Sequence, residues 1–365
     1  MTLTSPVKGR DTLLLAKDLL QIMRKKQERW IRPLEKTEEE VLVKEFGQVD
    51  WDIPGHRQIL DISQARDIIE WSQGLGLIDL KKRNMWTSLG AVLSKIIEQR
   101  QKDAFLCVTD LPNPLRLTLK QKIFFIYLLL LKDGDFILRF LRKLPRETFS
   151  ANDACQCYYD AWNELAGFLS ASKEYKHISK SRELSRLITD LKGSSAYLRV
   201  ISKLENLTDL GILTRVDERK YQYNPHLDKL KTLDEISSNV LSEKPESTED
   251  RWKSFFDSDF FSFTAKIFEI SKLEKASKSL MTGHILNSYK KLVGGLGLCR
   301  IDEVSLLAGI EGLMDDPPLI IEQRNVRDSV FDMSKQYGKL VSLHVDMLGN
   351  ISYMKIDRSL LTQTR

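Results

Sequence analysis

Two pairs of aspartates have the spacing at which carboxylates could bind Mg²⁺: Asp133 with Asp135, and Asp257 with Asp259. A metal-dependent nuclease holds such carboxylates on neighbouring strands, beside a lysine that orients the attacking water. The first pair lies between two apolar helical segments, which predicts a polar turn. The second pair lies in the acidic stretch between phenylalanines 255–256 and 260–261, which predicts the start of a helix over a core. The sequence therefore predicts no catalytic residue, and a nuclease with a diverged core in residues 228–365 stays an alternative.

Other common sites of chemistry are missing from the sequence. The glycines in Gly294–Gly297 are not followed by the Lys-Ser/Thr pair that a phosphate-binding loop needs. Cys155 and Cys157 form a single C-x-C without a second pair of ligands, and the five histidines are far apart in the chain. No Gly-x-Ser-x-Gly motif marks a serine nucleophile. We therefore expect no metal and no cofactor, and a binding protein rather than an enzyme.

The segment around residue 200 carries a pattern that suits recognition of DNA bases. Leu198, Ile201 and Leu204 or Leu207 form an apolar stripe at helical spacing. The opposite face is polar and consists of Ser195, Arg199, Ser202 and Asn206, with Lys203 at its edge. In the major groove arginine can bond to guanine and asparagine to adenine, and serine can reach bases or phosphates. This face is therefore predicted to read a DNA groove.

Basic side chains outside this helix predict contacts with phosphate. Residues 116–146 contain eight Lys/Arg against two Asp/Glu, and residues 173–203 contain eight against three. Residues 234–259 have the opposite balance, with three basic residues against eight acidic ones. Basic segments next to an acidic stretch are typical of a polyanion-binding protein with an acidic linker. The predicted phosphate contacts are Lys81, Lys82, Arg83, Arg139, Arg142, Lys143, Arg219 and Lys220.

Apolar spacing predicts a mainly helical chain with a few short strands. In three places a helix runs into a glycine that can end it in the left-handed conformation: Gly74–Ile78, Leu210–Leu213 and Gly295–Leu298. A short strand and a charged hairpin follow in the first two. A further hairpin is predicted over Leu340–Ile356, where Gly349 and Asn350 suit a tight turn. The repeated unit is thus a helix, a glycine stop and a hairpin.

The segment Glu183–Pro225 resembles the winged helix-turn-helix, with a support helix, a turn, a recognition helix and a two-stranded wing. Residues 59–93 resemble the same fold, but their helix exposes two carboxylates, which favours a packing role. Residues 301–356 match less closely, with a support helix at 301–313, a second helix from Pro317 to Tyr337 and a wing. The polar residues of that second helix are Gln323, Arg324, Arg327 and Lys335. The resemblance implies a mainly α fold of tandem winged-helix domains with small β-wings.

Residues 59–227 as a whole resemble the DNA-recognition half of type IIS restriction endonucleases and related prokaryotic defence-system proteins. In that group, consecutive winged helices clamp a duplex. The resemblance implies a non-catalytic subunit of a restriction or phage-defence system that binds double-stranded DNA. It also implies a protein partner, a nuclease, helicase or ATPase that this chain positions, since no attached nuclease domain is recognisable. The alternative is a scaffold subunit whose winged helices bind proteins in a chromosome-organising complex.

Composition and length predict the domain organisation. A chain of 365 residues suggests two or three domains. They are expected at residues 1–110, 111–236 and 256–365, with residues 237–255 as the acidic linker. The longest apolar run has nine residues, too few to cross a membrane, and the four cysteines are scattered. Because the first ten residues also lack a signal-peptide stretch, we expect a cytoplasmic protein with no membrane partner.

Overall fold

The computed structural model describes residues 72–79, 87–104, 117–190, 194–217, 220–224, 228–241, 244–294 and 297–362. Within these ranges the chain is mainly helical and contains three small sheets, which confirms the predicted mainly α fold with small β elements. The chain divides into two compact units. The first lies within residues 1–90 and 101–251, and the second within residues 91–100 and 252–365. In the part of the chain that is described, no helix has the length and apolarity needed to cross a membrane.

The first unit is a group of helices with one three-stranded antiparallel sheet. Its helices, with those at its boundaries, are α1 (Ser88–Ala104), α2 (Leu119–Lys143), α3 (Ala151–Ser170), α4 (Tyr175–Asp190), α5 (Ser194–Asp209), α6 (Asp228–Val240) and α7 (Pro245–Ser258). Its strands are β1 (Phe149–Ser150), β2 (Leu213–Asp217) and β3 (Lys220–Tyr223), in the order β1–β3–β2. Phe149 lies opposite Tyr221, and Leu213 lies opposite Tyr223. The sheet therefore joins a strand that precedes α3 to the hairpin that follows α5.

Helix α2 is the central helix of the first unit. A capping box starts it, in which the Thr118 hydroxyl accepts from the amide of Gln121 and the Gln121 side chain accepts from the amide of Thr118. The apolar residues from Ile123 to Leu130 are all buried. The predicted polar turn at Asp133 is instead a kink inside one helix, where Asp133 has φ −139° and ψ 18°. The aspartate is buried at this kink.

Two helices end in the same left-handed glycine cap. The amide of Gly211 donates to the carbonyl of Thr208 (2.8 Å), and that of Ile212 donates to Leu207 (2.9 Å). The chain at Gly76 repeats this pair of bonds at 2.9 and 3.0 Å, and both glycines have φ +74°. These are the two bonds of a Schellman motif. The predicted glycine stops are therefore confirmed at these two positions.

After each cap, an equivalent polar residue further along the chain forms hydrogen bonds back to the carbonyls at the cap. Asn224 donates from its amide to the carbonyl of Ile212 (3.1 Å) and from its side chain to that of Gly211 (3.2 Å). Thr87 makes the matching bonds to the corresponding carbonyls, at 3.3 and 2.5 Å. The repeat predicted from sequence thus extends to the hydrogen bonds at the base of each segment.

We expect Gly211→Ala to lower the free energy of unfolding by about 1–2 kcal/mol, because a left-handed conformation strains any residue with a Cβ. The new Cβ would lie 3.3 Å from Nζ of Lys122, which is the flexible end of its side chain and can move. The strain of the left-handed backbone therefore determines how much stability is lost. Urea denaturation measures it against Gly167→Ala in α3, where a Cβ meets open space and helix propensity favours alanine. Equal stability of the two variants would contradict the strain argument.

The second unit has two small sheets and a continuous apolar core. Its further helices are α8 (Phe260–Ile267), α9 (Lys278–Leu292), α10 (Ile301–Gly312), α11 (Gln323–Tyr337) and α12 (Arg358–Thr362), with a 3₁₀ turn at Gly338–Leu340. Its strands are β4 (Glu274–Lys275), β5 (Cys299–Arg300), β6 (Leu319–Ile320), β7 (Val341–Val345) and β8 (Ile351–Ile356). β4 and β6 pair in parallel, and the others form an antiparallel sheet in the order β5–β8–β7.

Apolar residues from the helices and the larger sheet meet in the core of the second unit, among them Ile285, Val304, Val330 and Met354. The predicted support helix and hairpin are present as α10 and β7–β8. The predicted second helix is shorter at its start and begins at Gln323, because Leu319 and Ile320 pair with β4 instead.

The predicted acidic linker at residues 237–255 is mostly helical, which corrects the sequence interpretation. Helices α6 and α7 cover most of it, and the division between the two units falls inside α7. Pro245 starts α7, where a missing amide hydrogen costs no helical bond. The Glu246 carboxylate accepts from the Ser172 hydroxyl (2.5 Å), and this bond and its backbone bonds lower the pKa of Glu246 to about 2. The acidic composition at this place therefore belongs to helices and not to an irregular connection.

Candidate nucleic-acid interface

The predicted recognition helix, α5, is enclosed within the first unit. Ser202, Lys203 and Asn206 are only 1%, 4% and 2% exposed, and the intervening Leu204 and Glu205 are also buried. The helix packs against α3 and continues into β2, which it also contacts. A side chain must be exposed to reach a base edge. The prediction that Ser202, Lys203 and Asn206 contact DNA is therefore wrong.

Lys203 is buried in an ion pair with the carboxylate of Asp133. The lysine Nζ lies 2.9 Å from Oδ2 of the aspartate, and both side chains are buried. Burial raises the pKa of Asp133, and the charge of Lys203 and its hydrogen bond oppose that shift. The same ammonium lies 5.8 Å from the centre of the Phe136 ring. The ion pair joins the kink of α2 to α5 and gives Lys203 a structural role.

The rest of the predicted polar face offers one partly exposed group. Among the described residues, neither Nδ2 nor Oδ1 of the buried Asn206 side chain has a hydrogen-bond partner. Arg199 is half-buried. The side chain of Ser195 lies outside the described residues. Among the described side chains of this face, only Arg199 can reach a ligand.

Two of the three basic candidates on α2 are bound to the neighbouring helix. Arg139 Nε lies 3.3 Å and Lys143 Nζ 2.7 Å from the carboxylate of Glu164 in α3. Arg139 also donates to the carbonyl of Asp135 (3.0 Å) and is buried, so its predicted phosphate contact is wrong. Lys143 is half-buried, and its pairing with Glu164 competes with phosphate. Arg142 is exposed, and its contact with phosphate stays a prediction.

The hairpin of the first unit keeps one predicted contact exposed. Lys220 lies 4.0 Å from the Asp217 carboxylate, and since both groups are exposed this pairing is weak. The remaining candidates on predicted hairpins lie outside the described residues: Lys81, Lys82, Arg83 and Arg219.

Buried tyrosines fix this hairpin to the helices, a feature that the sequence interpretation missed. The Tyr221 hydroxyl donates to Glu205 (2.7 Å), and the Tyr223 hydroxyl donates to the carbonyl of Leu141. Burial raises the pKa of both tyrosines, so the hydroxyls stay protonated as donors. The alternation of tyrosine with polar residues in KYQY was the available signal.

Among the described helices of the first unit, α4 carries several exposed basic residues and α5 does not. Ser181 and Leu184 form the inner side of α4 and are buried, and the Ser181 hydroxyl donates to the carbonyl of Ala166 in α3 (2.8 Å). Helical geometry places the residues that lie off this inner side on the outer side of α4. The exposed basic residues there are Lys176, Lys180, Arg182 and Arg186.

Three of these four basic residues form no ion pair within 4 Å of a described carboxylate. Lys176 pairs with Glu174 (3.2 Å) and Glu249 (3.5 Å). No such pair forms for Lys180, Arg182 and Arg186 within the described ranges, and we call these three the α4 basic face. Exposed Glu183 lies between Lys180 and Arg186 on this side of the helix, so the face carries three cations against one carboxylate. A net positive charge on a helix surface attracts a polyanion.

The corresponding helix of the second unit, α11, has less free charge than predicted. Nη1 and Nη2 of Arg327 each donate to the Asp257 carboxylate at 3.2 Å, and Nη2 also donates to Asp302 at 3.2 Å. Gln323 is buried. Arg324 and Lys335 are the predicted residues of this helix that are exposed.

Catalytic metal chemistry has no matching group of side chains in the described ranges, where no three His, Cys, Asp or Glu residues lie close enough to hold a metal ion. The pair His284 and Asp315, 2.7 Å apart, joins α9 to the turn after α10. The interface candidates are therefore the α4 basic face, Arg199, Arg142 and Lys220 in the first unit. No protein-family model matches this chain, and no curated protein or solved structure matches it either.

Proposed function

We propose that this protein binds double-stranded DNA through the α4 basic face and has no catalytic activity of its own. The observation that carries the proposal is the set of exposed cations Lys180, Arg182 and Arg186, none of which forms an ion pair with a described residue. They span about 9 Å of helix axis. Duplex DNA presents about five phosphate charges over that length. Half-buried Arg199 on α5 and exposed Lys220 on the hairpin add positive charge elsewhere in the same unit.

The proposal includes a winged-helix architecture for both units. In each unit a short first strand pairs with the last strand of a hairpin, which gives the orders β1–β3–β2 and β5–β8–β7. In each, helices lie between the first strand and the hairpin. This arrangement supports tandem winged helices, a fold whose helices and hairpins commonly approach DNA. In the first unit, the helix that faces outward is α4.

The biological setting is proposed from the sequence resemblance. A recognition component of a prokaryotic restriction or phage-defence system would bind duplex DNA and position a partner nuclease, helicase or ATPase. Phosphate contacts fix position and orientation on the duplex, whereas base contacts supply sequence preference. The α4 basic face is suited to the first of these tasks. Arg199 is the described residue of the original polar face that can still contribute to the second.

Replacing Lys180, Arg182 and Arg186 together by glutamine is expected to lower the slope of log affinity against log salt by about three, because each lost phosphate contact removes about 0.9. Fluorescence anisotropy with a labelled duplex at several salt concentrations measures the slope. These substitutions are exposed and should change stability by less than about 0.5 kcal/mol each.

The matched control is the triple variant Lys253→Gln, Lys275→Gln and Lys290→Gln, which removes the same charge from exposed sites elsewhere. Its slope should stay close to that of the parent. An equal reduction in both variants would mean that net charge, not the α4 basic face, sets the affinity. Absence of salt-dependent duplex binding by the parent would favour the scaffold alternative, and Mg²⁺-dependent cleavage would favour the nuclease alternative.

A further inference from the structure

The hairpin formed by β7, β8 and the turn between them, here the C-terminal hairpin, ends in exposed apolar side chains. Met347 is fully exposed and Leu348 is 86% exposed, while Val345 and Ile351 beside them are 60% and 42% exposed. Single exposed apolar residues are ordinary on protein surfaces. Four within seven residues at the end of a hairpin form a patch, which indicates a surface that a partner covers.

The turn that carries this patch is held in one shape by its own hydrogen bonds. The Asp346 carboxylate accepts from the amides of Leu348 and Asn350 and from the hydroxyl of Ser352, each at 2.9 Å. The amide of Asp346 donates to the carbonyl of Asn350 (2.8 Å), and Gly349 supplies the left-handed residue at φ +83°. The tip is therefore preorganised, and the carboxylate is engaged by the turn.

The base of the same hairpin is basic. Exposed cations surround it at Lys335, Lys339, Lys355 and Arg358. Within the described part of the chain none of them forms an ion pair. The acidic residues from 335 to 358 are Asp346 and Asp357, and the second also bonds locally, to the hydroxyl of Ser359 (2.7 Å). An apolar tip above a cationic base matches a partner with an anionic surface and an apolar interior.

We propose that the C-terminal hairpin is a wedge that inserts Met347 and Leu348 between base pairs from the minor groove, while its basic base contacts the flanking phosphates. Apolar side chains such as methionine and leucine unstack base steps in this way and kink the duplex. Duplex DNA combines the two required features, because phosphates cover the outside and stacked bases form the interior. The inference rests on the proposed function, and it assigns DNA bending to the second unit.

The test uses the full chain and a duplex of about 30 base pairs with a donor and an acceptor dye at its two ends. The parent should raise energy transfer between the ends by kinking the duplex, and should raise the fluorescence of 2-aminopurine placed at successive positions. The double variant Met347→Ser/Leu348→Ser should lose both signals and bind about tenfold more weakly. Leu280→Ser is the control, because Leu280 is an exposed apolar residue of α9 in the same unit.

Each outcome of this experiment either supports the wedge or rejects it. If the parent binds in a salt-dependent way without kinking the duplex, or if the double variant matches the parent, the wedge is overturned and the proposed function stands. If the parent binds no duplex, both proposals fail. If the double variant instead loses binding to phosphatidylserine–phosphatidylcholine vesicles while duplex bending is unchanged, the tip is a membrane-surface contact and the wedge is rejected.

Discussion

Lys203→Met is expected to lower the free energy of unfolding by about 3–5 kcal/mol, the usual effect of leaving one partner of a buried ion pair alone. The methionine replaces most of the lysine stem, so the loss comes mainly from Asp133, whose carboxylate stays buried 70 residues earlier in the chain without its cation. Urea denaturation monitored by circular dichroism measures the change. Because Lys203 was predicted as a DNA contact, a large loss of stability separates its structural role from a role at the surface.

The pH dependence of this loss has a definite sign. Burial already raises the pKa of Asp133, and removal of the opposing lysine raises it further. A carboxyl group with a raised pKa in the folded state binds its proton more tightly there, so stability falls as pH rises from about 4 through the folded-state pKa. The difference in stability between parent and variant should therefore be larger at pH 7 than at pH 4.

The matched variant Asp133→Asn/Lys203→Met removes both charges and should recover more than half of the lost stability, since no uncompensated charge remains. If the double variant is no more stable than Lys203→Met, the loss reflects packing around residue 203 and the ion pair is not the cause. If Lys203→Met is as stable as the parent, the buried ion pair contributes nothing to the free energy of unfolding.

Periodicity and local chemistry were sufficient to predict much of the fold. Glycine caps at Gly76 and Gly211, the support helix at 301–313 and the last hairpin all depend on residues that are neighbours in sequence. These features follow from local rules on helix ends, apolar spacing and tight turns. The helices in the acidic segment 237–255 were missed because their charges conceal a weak apolar spacing, and a bond from Ser172 to Glu246 is a contact between distant residues.

The site was less predictable, because helical spacing does not reveal which of two polar faces is buried. Lys203 on this face forms a buried ion pair with Asp133, which lies far away in the sequence. No local rule identifies Asp133 as its partner. On α4 a usable signal existed, since Ser181, Leu184 and Ile188 recur at i, i+3 and i+7 and place Arg182 and Arg186 on the other side of the helix. The basic excess of residues 173–203 was correct as a sum, and four of its eight basic residues, Lys176, Lys180, Arg182 and Arg186, lie exposed on α4.

Gly309→Ala is expected to lower the free energy of unfolding of the second unit by about 2–3 kcal/mol through overpacking. A Cβ at this position would lie far inside van der Waals contact with the Phe261 ring, which is fully buried. That ring cannot easily move away, because it packs edge-on against Phe260 with the ring centres 5.1 Å apart. Helix propensity alone favours alanine by about 1 kcal/mol, so the sign of the result shows which effect is larger.

The control for this prediction is Gly283→Ala in α9, another helical position in the same unit, where a Cβ meets open space. That substitution should raise stability by up to about 1 kcal/mol, because only the propensity effect acts there. Urea denaturation gives both values, and hydrogen exchange of the α10 amides should show faster opening in Gly309→Ala alone. A stability gain in both variants would mean that Phe261 has room to repack, and the tight contact between α8 and α10 would lose its assigned role in the core of the second unit.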